Sequence, residues 1–288
     1  MHSLTFIGTA TTLLRLGSFT LLTDPNFLHR GQRAYLGKGL WSRRLTEPAM
    51  SPDQLPDLDA YVLSHLHGDH WDRVATRKLD RSPPVFTTTK AARRLSRYGF
   101  DSRGMRTWDD SELRRGGETL RIVSLPGIHA RGLLGPVLPP VMGTMLEHRL
   151  EHSVEHRPEH RPEHSADGAP FRVYLSGDTL DGAHLDAVRE RFPDIDVVVV
   201  HLGGTRVLAH QVTMDDAQGV SFLHRIRPSL AVPVHYDDYG VFRSPLQRFV
   251  DRSRSAGLAT RIQVVARGAP VTLPPMGRDQ IEQDQGRL

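Results

Sequence analysis

Three histidines and an aspartate fall within six residues in Ser64-His65-Leu66-His67-Gly68-Asp69-His70, an HxHxDH pattern. Neutral imidazole and carboxylate are good ligands for Zn²⁺, and also for Mn²⁺ or Fe²⁺. Crowding this many titratable groups together without a cation is unfavourable. A single HxHxDH supplies too few ligands for two metals, so the reading demands more His and Asp elsewhere in the chain. They are present at His129, in Leu125-Pro126-Gly127-Ile128-His129, at Asp178, in Ser176-Gly177-Asp178-Thr179, and at His235, in Val232-Pro233-Val234-His235-Tyr236. The chain has no cysteine, so thiolate metal sites, disulfides and cysteine nucleophiles are excluded.

What unites these residues is their place relative to short apolar runs. Ala60 to Leu63 reads as a strand and the HxHxDH loop follows it directly, where a turn frees successive side chains from strict alternation. Leu120 to Leu125 precedes His129, Phe171 to Leu175 precedes Asp178, and Leu230 to Val234 precedes His235. Together, their repeated position just after a strand points to one shared site. Upstream, Leu4 to Ile7, Thr11 to Leu16 and Phe19 to Leu22 alternate with turn residues and predict a β-meander. Asn26 to Met50 has no clear period and predicts a long loop over one end of the sheet.

Strands alternate with helical patterns from Asp59 onward, which predicts a layered α/β fold. Pro84 to Thr87 reads as a strand and Lys90 to Tyr98 as a helix. Leu180 to Arg191 is read as a helix, and Val197 to Val200 as a strand in a sheet interior. Met214 to Ile226 is read as a helix capped by Thr213, and Pro245 to Ser255 as another. One domain over 1–275 is expected, with a polar tail at 276–288. Within it Glu-His recurs every four residues from Glu147 to His164, placing His at 148, 152, 156, 160 and 164. Pro158 and Pro162 break any continuous helix, and no apolar face exists to fold this stretch. It is therefore read as a low-complexity insertion at 147–165, able to scavenge metal ions without being the main site.

The balance of 37 basic against 33 acidic side chains gives a net charge of +4, which supplies no case for nucleic-acid binding. No apolar run reaches the ~20 residues that span a bilayer, and the N-terminus lacks a basic segment followed by an apolar one. A cytoplasmic protein acting on a small molecule is expected.

The chain resembles the metallo-β-lactamase superfamily, whose αββα sandwich holds metals at one edge of two packed sheets. Ile7-Gly8-Thr9-Ala10-Thr11, Thr23-Asp24-Pro25, Leu202-Gly203-Gly204, Val212-Thr213-Met214 and Pro233-Val234-His235-Tyr236 resemble one branch of it. That branch contains the ascorbate-6-phosphate lactonases and the phospholipase D-type enzymes acting on N-acyl phosphatidylethanolamine. The resemblance implies one metal held by His65, His67 and His129, a second by Asp69, His70 and His235, and Asp178 bridging them. It also implies a phosphodiester or lactone as substrate, and an inclination to form homo-oligomers. Tyr236-Asp237-Asp238-Tyr239 departs from the branch, which bears on the substrate and not on the metals.

For catalysis beyond the metals, Asp69 is expected to orient a hydroxide, and His210 and Tyr236 are candidates to protonate the leaving oxygen. Arg206 and Arg243 are candidates to pair with a substrate phosphate. His201 is read as a satisfied core histidine. The competing function is a metal buffer or sensor that uses the His-rich tract and catalyses nothing.

Overall fold

The computed structural model describes residues 1–132, 135, 138–150, 168–208 and 210–274. The chain opens with β1 (His2–Gly8), β2 (Thr11–Leu16) and β3 (Phe19–Thr23), then a hairpin of β4 (Arg33–Tyr35) and β5 (Trp41–Arg43). Next come β6 (Ala60–Leu63), α1 (Arg73–Lys78), β7 (Val85–Thr88), α2 (Thr89–Leu95) and β8 (Ser102–Met105). The second half begins with β9 (Asp110–Arg115), β10 (Glu118–Leu125), β11 (Gly143–Leu150) and β12 (Phe171–Leu175). It continues through α3 (Asp186–Arg191), β13 (Val197–His201), β14 (Arg206–Val207), β15 (His210–Gln211) and α4 (Asp216–Ile226). Last come β16 (Leu230–Val234), α5 (Leu246–Ser255), β17 (Arg261–Ile262) and β18 (Pro270–Thr272).

Two seven-stranded sheets result, ordered β18-β1-β2-β3-β6-β7-β8 and β17-β16-β13-β12-β11-β10-β9. Each mixes directions. β3, β6, β7 and β8 run parallel, as do β12, β13, β16 and β17, and the remaining neighbours are antiparallel. The period-2 alternation of side chains explains the layering. In β6, Ala60 and Val62 enter the core between the sheets, whereas Tyr61 and Leu63 face an outer layer with Ala75 and Leu95 from α1 and α2. The same split separates Leu14 from Leu13 and Leu21 from Leu22. Strands covered on both faces read as continuous apolar runs, and Val197 to Val200 are fully buried. On the other side Val188, Phe222, Leu223 and Phe249 of α3, α4 and α5 close the sandwich, giving the expected αββα arrangement.

The stretch from Asn26 to Met50, read as a loop, carries the β4–β5 hairpin, and three further details depart from the sequence reading. The helix read from Leu180 starts as a 3₁₀ turn at Ala183 and becomes α-helical at Asp186, because the Leu180 amide is committed to the Ile128 carbonyl at 2.8 Å. The cap of α4 is Asp215, whose carboxylate accepts from the Gln218 amide; Thr213 instead accepts from Thr205 N at 2.8 Å. Glu147 and His148 belong to β11, a central strand. Neighbouring strands supply partners that make the polar residues tolerable there. Arg121 and Arg172 donate to the Glu147 carboxylate at 3.1 and 2.9 Å, and His148 Nε2 lies 2.9 Å from Glu118. The remaining histidines of the tract, 152, 156, 160 and 164, and the polar tail lie outside the described residues.

Candidate metal centre

Each sequence-predicted ligand sits just beyond a strand, and all converge at one end of the sandwich. His65 to His70 follow β6, His129 follows β10, Asp178 follows β12 and His235 follows β16. A strand supplies direction and the turn after it supplies reach. His235 adopts φ 63°, a left-handed conformation that bends the chain at the strand end, and its amide donates to the Thr9 carbonyl at 2.6 Å. Gly68 admits the loop's close approach to the β4–β5 hairpin. A Cβ there would meet the Tyr35 backbone at 2.7 Å, and the Gly68 amide donates to Tyr35 O at 2.9 Å. Asn26 Nδ2 donates to the Gly68 carbonyl at 2.8 Å and fixes the loop from the other side.

Two groups of three face one another. His67 Nδ1 lies 3.0 Å from His65 Nε2 and 3.3 Å from His129 Nε2. On the other side, His235 Nε2 lies 3.4 Å from Asp69 Oδ2. Asp178 stands between the groups, with Oδ2 3.2 Å from His70 Nε2 and 3.9 Å from His65 Nε2. Inward-facing atoms His235 Nε2, Asp69 Oδ1 and Asp178 Oδ1 are buried without a hydrogen-bond partner. Two imidazole nitrogens within 3.3 Å of a third, and orphaned carboxylate oxygens beside them, fit a divalent cation and little else.

The outward nitrogens are tied down, which sets the ring orientation. His129 Nδ1 donates to the Val212 carbonyl at 2.8 Å and His235 Nδ1 to the Leu202 carbonyl at 3.0 Å, leaving Nε2 of each as a lone-pair donor toward the centre. Behind these residues lies a support that the sequence reading did not assign. Asp24, at the end of β3, places Oδ2 3.2 Å from His70 Nδ1 and 3.3 Å from His201 Nε2. Its Oδ1 accepts from Ser64 N at 2.8 Å and Ser64 Oγ at 3.0 Å, and Ser64 Oγ in turn lies 3.0 Å from His65 Nδ1. His201 is buried as expected, with Nδ1 3.1 Å from Ser176 Oγ. The strand-end rule that found His129 and His235 would have found Asp24 too.

Charge is divided within the cluster. Burial, and then the neighbouring imidazoles, push His65 well below its ordinary value and His67 down to about 4; burial also lowers His129. These three are neutral lone-pair donors at pH 7. Burial opposes protonation of His70 and His235 too, but Asp178 overrides it in both, joined by Asp24 at His70 and by Asp69 at His235. Both are raised. Burial would lift the carboxyls, yet the imidazoliums hold Asp178 well below the usual range and Asp24 at about 2. Proton binding is therefore favoured on the side of the cluster where carboxylates are densest.

Above the cluster opens a cavity of about 450 Å³. His67, Asp69, His129, Asp178 and His235 form its floor, Leu40, Trp41, Val207 and Leu208 its apolar walls, and Lys38 and Arg206 its cationic edge. The other candidates stand outside it. His210 is exposed on β15, its Nδ1 turned to the Leu208 carbonyl at 2.9 Å. Tyr236 is buried against Phe6 and Arg267, and burial pushes its hydroxyl up to about 12. Neither lines the cavity, and Arg243 is exposed elsewhere. The departure at Tyr236-Asp237-Asp238-Tyr239 has a structural role. Asp238 is fully buried, accepts from Thr9 N at 2.7 Å and Arg267 Nη2 at 3.0 Å, and lies 3.5 Å from buried Arg44, which also bonds Asn26. Tyr239 Oη donates to Asn26 Oδ1 at 3.0 Å. Together they clasp the Asn26 to Met50 loop over the site.

Comparison with known proteins settles the family. Residues 20–236 match the model of the Beta-lactamase superfamily domain. The chain belongs to that superfamily. A relative from Caenorhabditis elegans, N-acyl-phosphatidylethanolamine-hydrolyzing phospholipase D 1, is 27% identical over 251 residues, covering 82% of this chain and 64% of the worm protein. Among solved structures, the isothiocyanate hydrolase from Delia radicum gut bacteria superposes with a TM-score of 0.73 at 20% identity, covering 94% of this chain and 99% of its own. A possible metal-dependent hydrolase from Veillonella parvula gives 0.73 at 22% identity, covering 95% and 100%. These two likenesses establish the superfamily's αββα fold for this chain. No helix among the described residues is long and apolar enough to cross a membrane.

Proposed function

We propose that the protein is a hydrolase dependent on two divalent cations, Zn²⁺ ahead of Mn²⁺ or Fe²⁺, acting on a phosphodiester or a lactone. The observation that carries the proposal is the pair of ligand groups flanking Asp178: His65, His67 and His129 on one side, Asp69, His70 and His235 on the other. Cations bound there would lower the pKa of a water and offset charge on the substrate oxygen. No serine or cysteine nucleophile is then needed.

The chain's own residues do the rest. Asp69 presents a second, unpartnered carboxylate oxygen to the cavity and can orient the attacking water. Thr205 Oγ1 is buried without a partner in the cavity wall and is placed to donate to a substrate oxygen. Lys38 and Arg206 at the edge favour an anionic group, and the apolar walls suit an organic body attached to it. Phosphodiester stands ahead of lactone because of these cations and because the worm relative's name describes hydrolysis of a phospholipid.

The test is metal content by plasma mass spectrometry on protein with residues 151–167 replaced by a short linker, followed by assay against bis(p-nitrophenyl) phosphate and a lactone panel. Replacement starts after Leu150 because β11 extends to it. About two transition-metal ions per chain, with turnover abolished in Asp178→Ala, is the expected result. Metal-free protein would instead favour a buffer or sensor built on the tract.

A further inference from the structure

A second cavity, of about 460 Å³, lies on the opposite side of the β4–β5 hairpin from the metal-site cavity. Gly37, Trp41 and His67 line both, so the hairpin is a partition and the two spaces meet at His67. The second is differently furnished. Arg33, Arg73, Arg77 and Arg94 converge on it from β4, α1 and α2. None of the four is ion-paired among the described residues, although Arg225, Arg252 and Arg267 elsewhere on the surface each hold an aspartate. Arg73 is held in place, its Nη1 donating to the Arg33 carbonyl at 3.2 Å. The one carboxylate in the lining, Asp72, accepts from the amides of Phe27, Leu28, Val74 and Ala75 at 2.6–2.8 Å and is turned into the backbone. Aromatic side chains of Trp41, Trp71 and Tyr98 complete the walls.

Four unpaired guanidiniums from three elements, with their nearby carboxylate already saturated, form a concentrated positive field open to solvent. Guanidinium matches phosphate oxygens two at a time, and aromatic walls favour an organic body attached to the anion. We propose that this cleft binds the phosphoryl end of an organic phosphate, and that the substrate spans both cavities past His67. The second half of the proposal rests on the hydrolase reading above; the first does not. The phosphate could be borne by a soluble molecule or by a lipid headgroup, and the recognition chemistry is the same.

The probe is phenyl phosphate, titrated by calorimetry into the metal-loaded protein, into Asp178→Ala and into Arg73→Ser/Arg94→Ser. Arg73 and Arg94 are exposed, so the arginine variant is expected to fold. Binding should persist in Asp178→Ala and weaken at least tenfold in Arg73→Ser/Arg94→Ser. A control with the same charge loss, Arg93→Ser/Arg97→Ser, removes exposed arginines outside the cleft and should leave binding unchanged. Loss of binding in Asp178→Ala, or equal weakening in the control, overturns the proposal by assigning the anion to the metals or to general surface charge. Cosedimentation with phosphatidate-containing phosphatidylcholine vesicles separates the sources: vesicle capture that disappears in the arginine variant identifies a headgroup, and phenyl phosphate binding without capture identifies a soluble phosphate. Intact phenyl phosphate binding in a protein that hydrolyses no ester would leave the cleft standing and sink only the hydrolase reading.

Discussion

Asp24→Asn is the sharpest probe of how this cluster is held. Asp24 has φ 39°, a left-handed conformation that asparagine tolerates well, so the backbone is not the variable. The side chain has two oxygens with divided duties: Oδ1 accepts from Ser64 N and Oγ, and Oδ2 faces His70 Nδ1 and His201 Nε2 at 3.2 and 3.3 Å. An amide can satisfy one set only. In one orientation its NH₂ confronts the Ser64 donors; in the other it donates to His70 Nδ1 and drives that ring's proton onto Nε2, the atom 3.2 Å from Asp178. A protonated Nε2 cannot ligate a metal. The carboxyl, held at about 2 against an ordinary 3.8, carries roughly 2 kcal/mol of favourable interaction at neutral pH, at about 1.4 kcal/mol per pH unit. Because this pKa is depressed, the stabilisation is complete above pH 3.8 and fades as pH falls towards 2. Metal affinity, measured by competition with a chromogenic chelator at pH 7, should fall roughly 10- to 100-fold, and the metal-free Asp24→Asn variant should unfold at lower denaturant than wild type at pH 7. Unchanged metal affinity together with an unchanged unfolding midpoint would refute the claim that Asp24 orients and charges His70.

Four further outcomes follow from the same geometry. Because His70 and His235 are raised in the metal-free state, metal binding near neutral pH should eject protons and tighten as pH rises; calorimetry in buffers of different ionisation enthalpy that detects no proton release would contradict it. Arg44→Gln leaves the Asp238 carboxylate buried with a single guanidinium partner and should cost about 3 kcal/mol, read as a fall in denaturation midpoint. Tyr236→Phe and His210→Ala should each retain kcat within about threefold, since neither side chain lines the cavity; a hundredfold loss in either would restore it as a proton donor. Thr205→Val should raise KM or lower kcat about tenfold while leaving metal content intact.

Much of the fold was legible because its strands are covered on both faces and read as plain apolar runs: Ala60–Leu63, Phe171–Leu175 and Leu230–Val234 occur at the bounds their composition suggests. The converging residues were legible because each follows such a run. What escaped was polar structure stabilised across strands. Glu147 looks like insertion until Arg121 and Arg172 are seen beside it, and those partners are 26 and 25 residues away in sequence. β8 and β9, with mostly exposed or half-buried residues, show no apolar run at all. His210 and Tyr236 were chosen for nearness in sequence to motifs, yet the left-handed bend at His235 sends successive side chains apart, and Tyr236 points into the core while His235 points to the cluster.

The path of β11 has a practical corollary. Leu125 pairs with Gly143 at the metal end of the sheet and Glu118 with Leu150 at the far end, so the chain leaves β11 and re-enters β12 about 20 Å from the cluster. A Glu-His-rich stretch rooted there is a built-in affinity handle. Nickel or cobalt resin should capture the untagged protein by its base, presenting the cavity above the cluster to the flowing solution, which suits oriented immobilisation in a reactor or on a sensor surface.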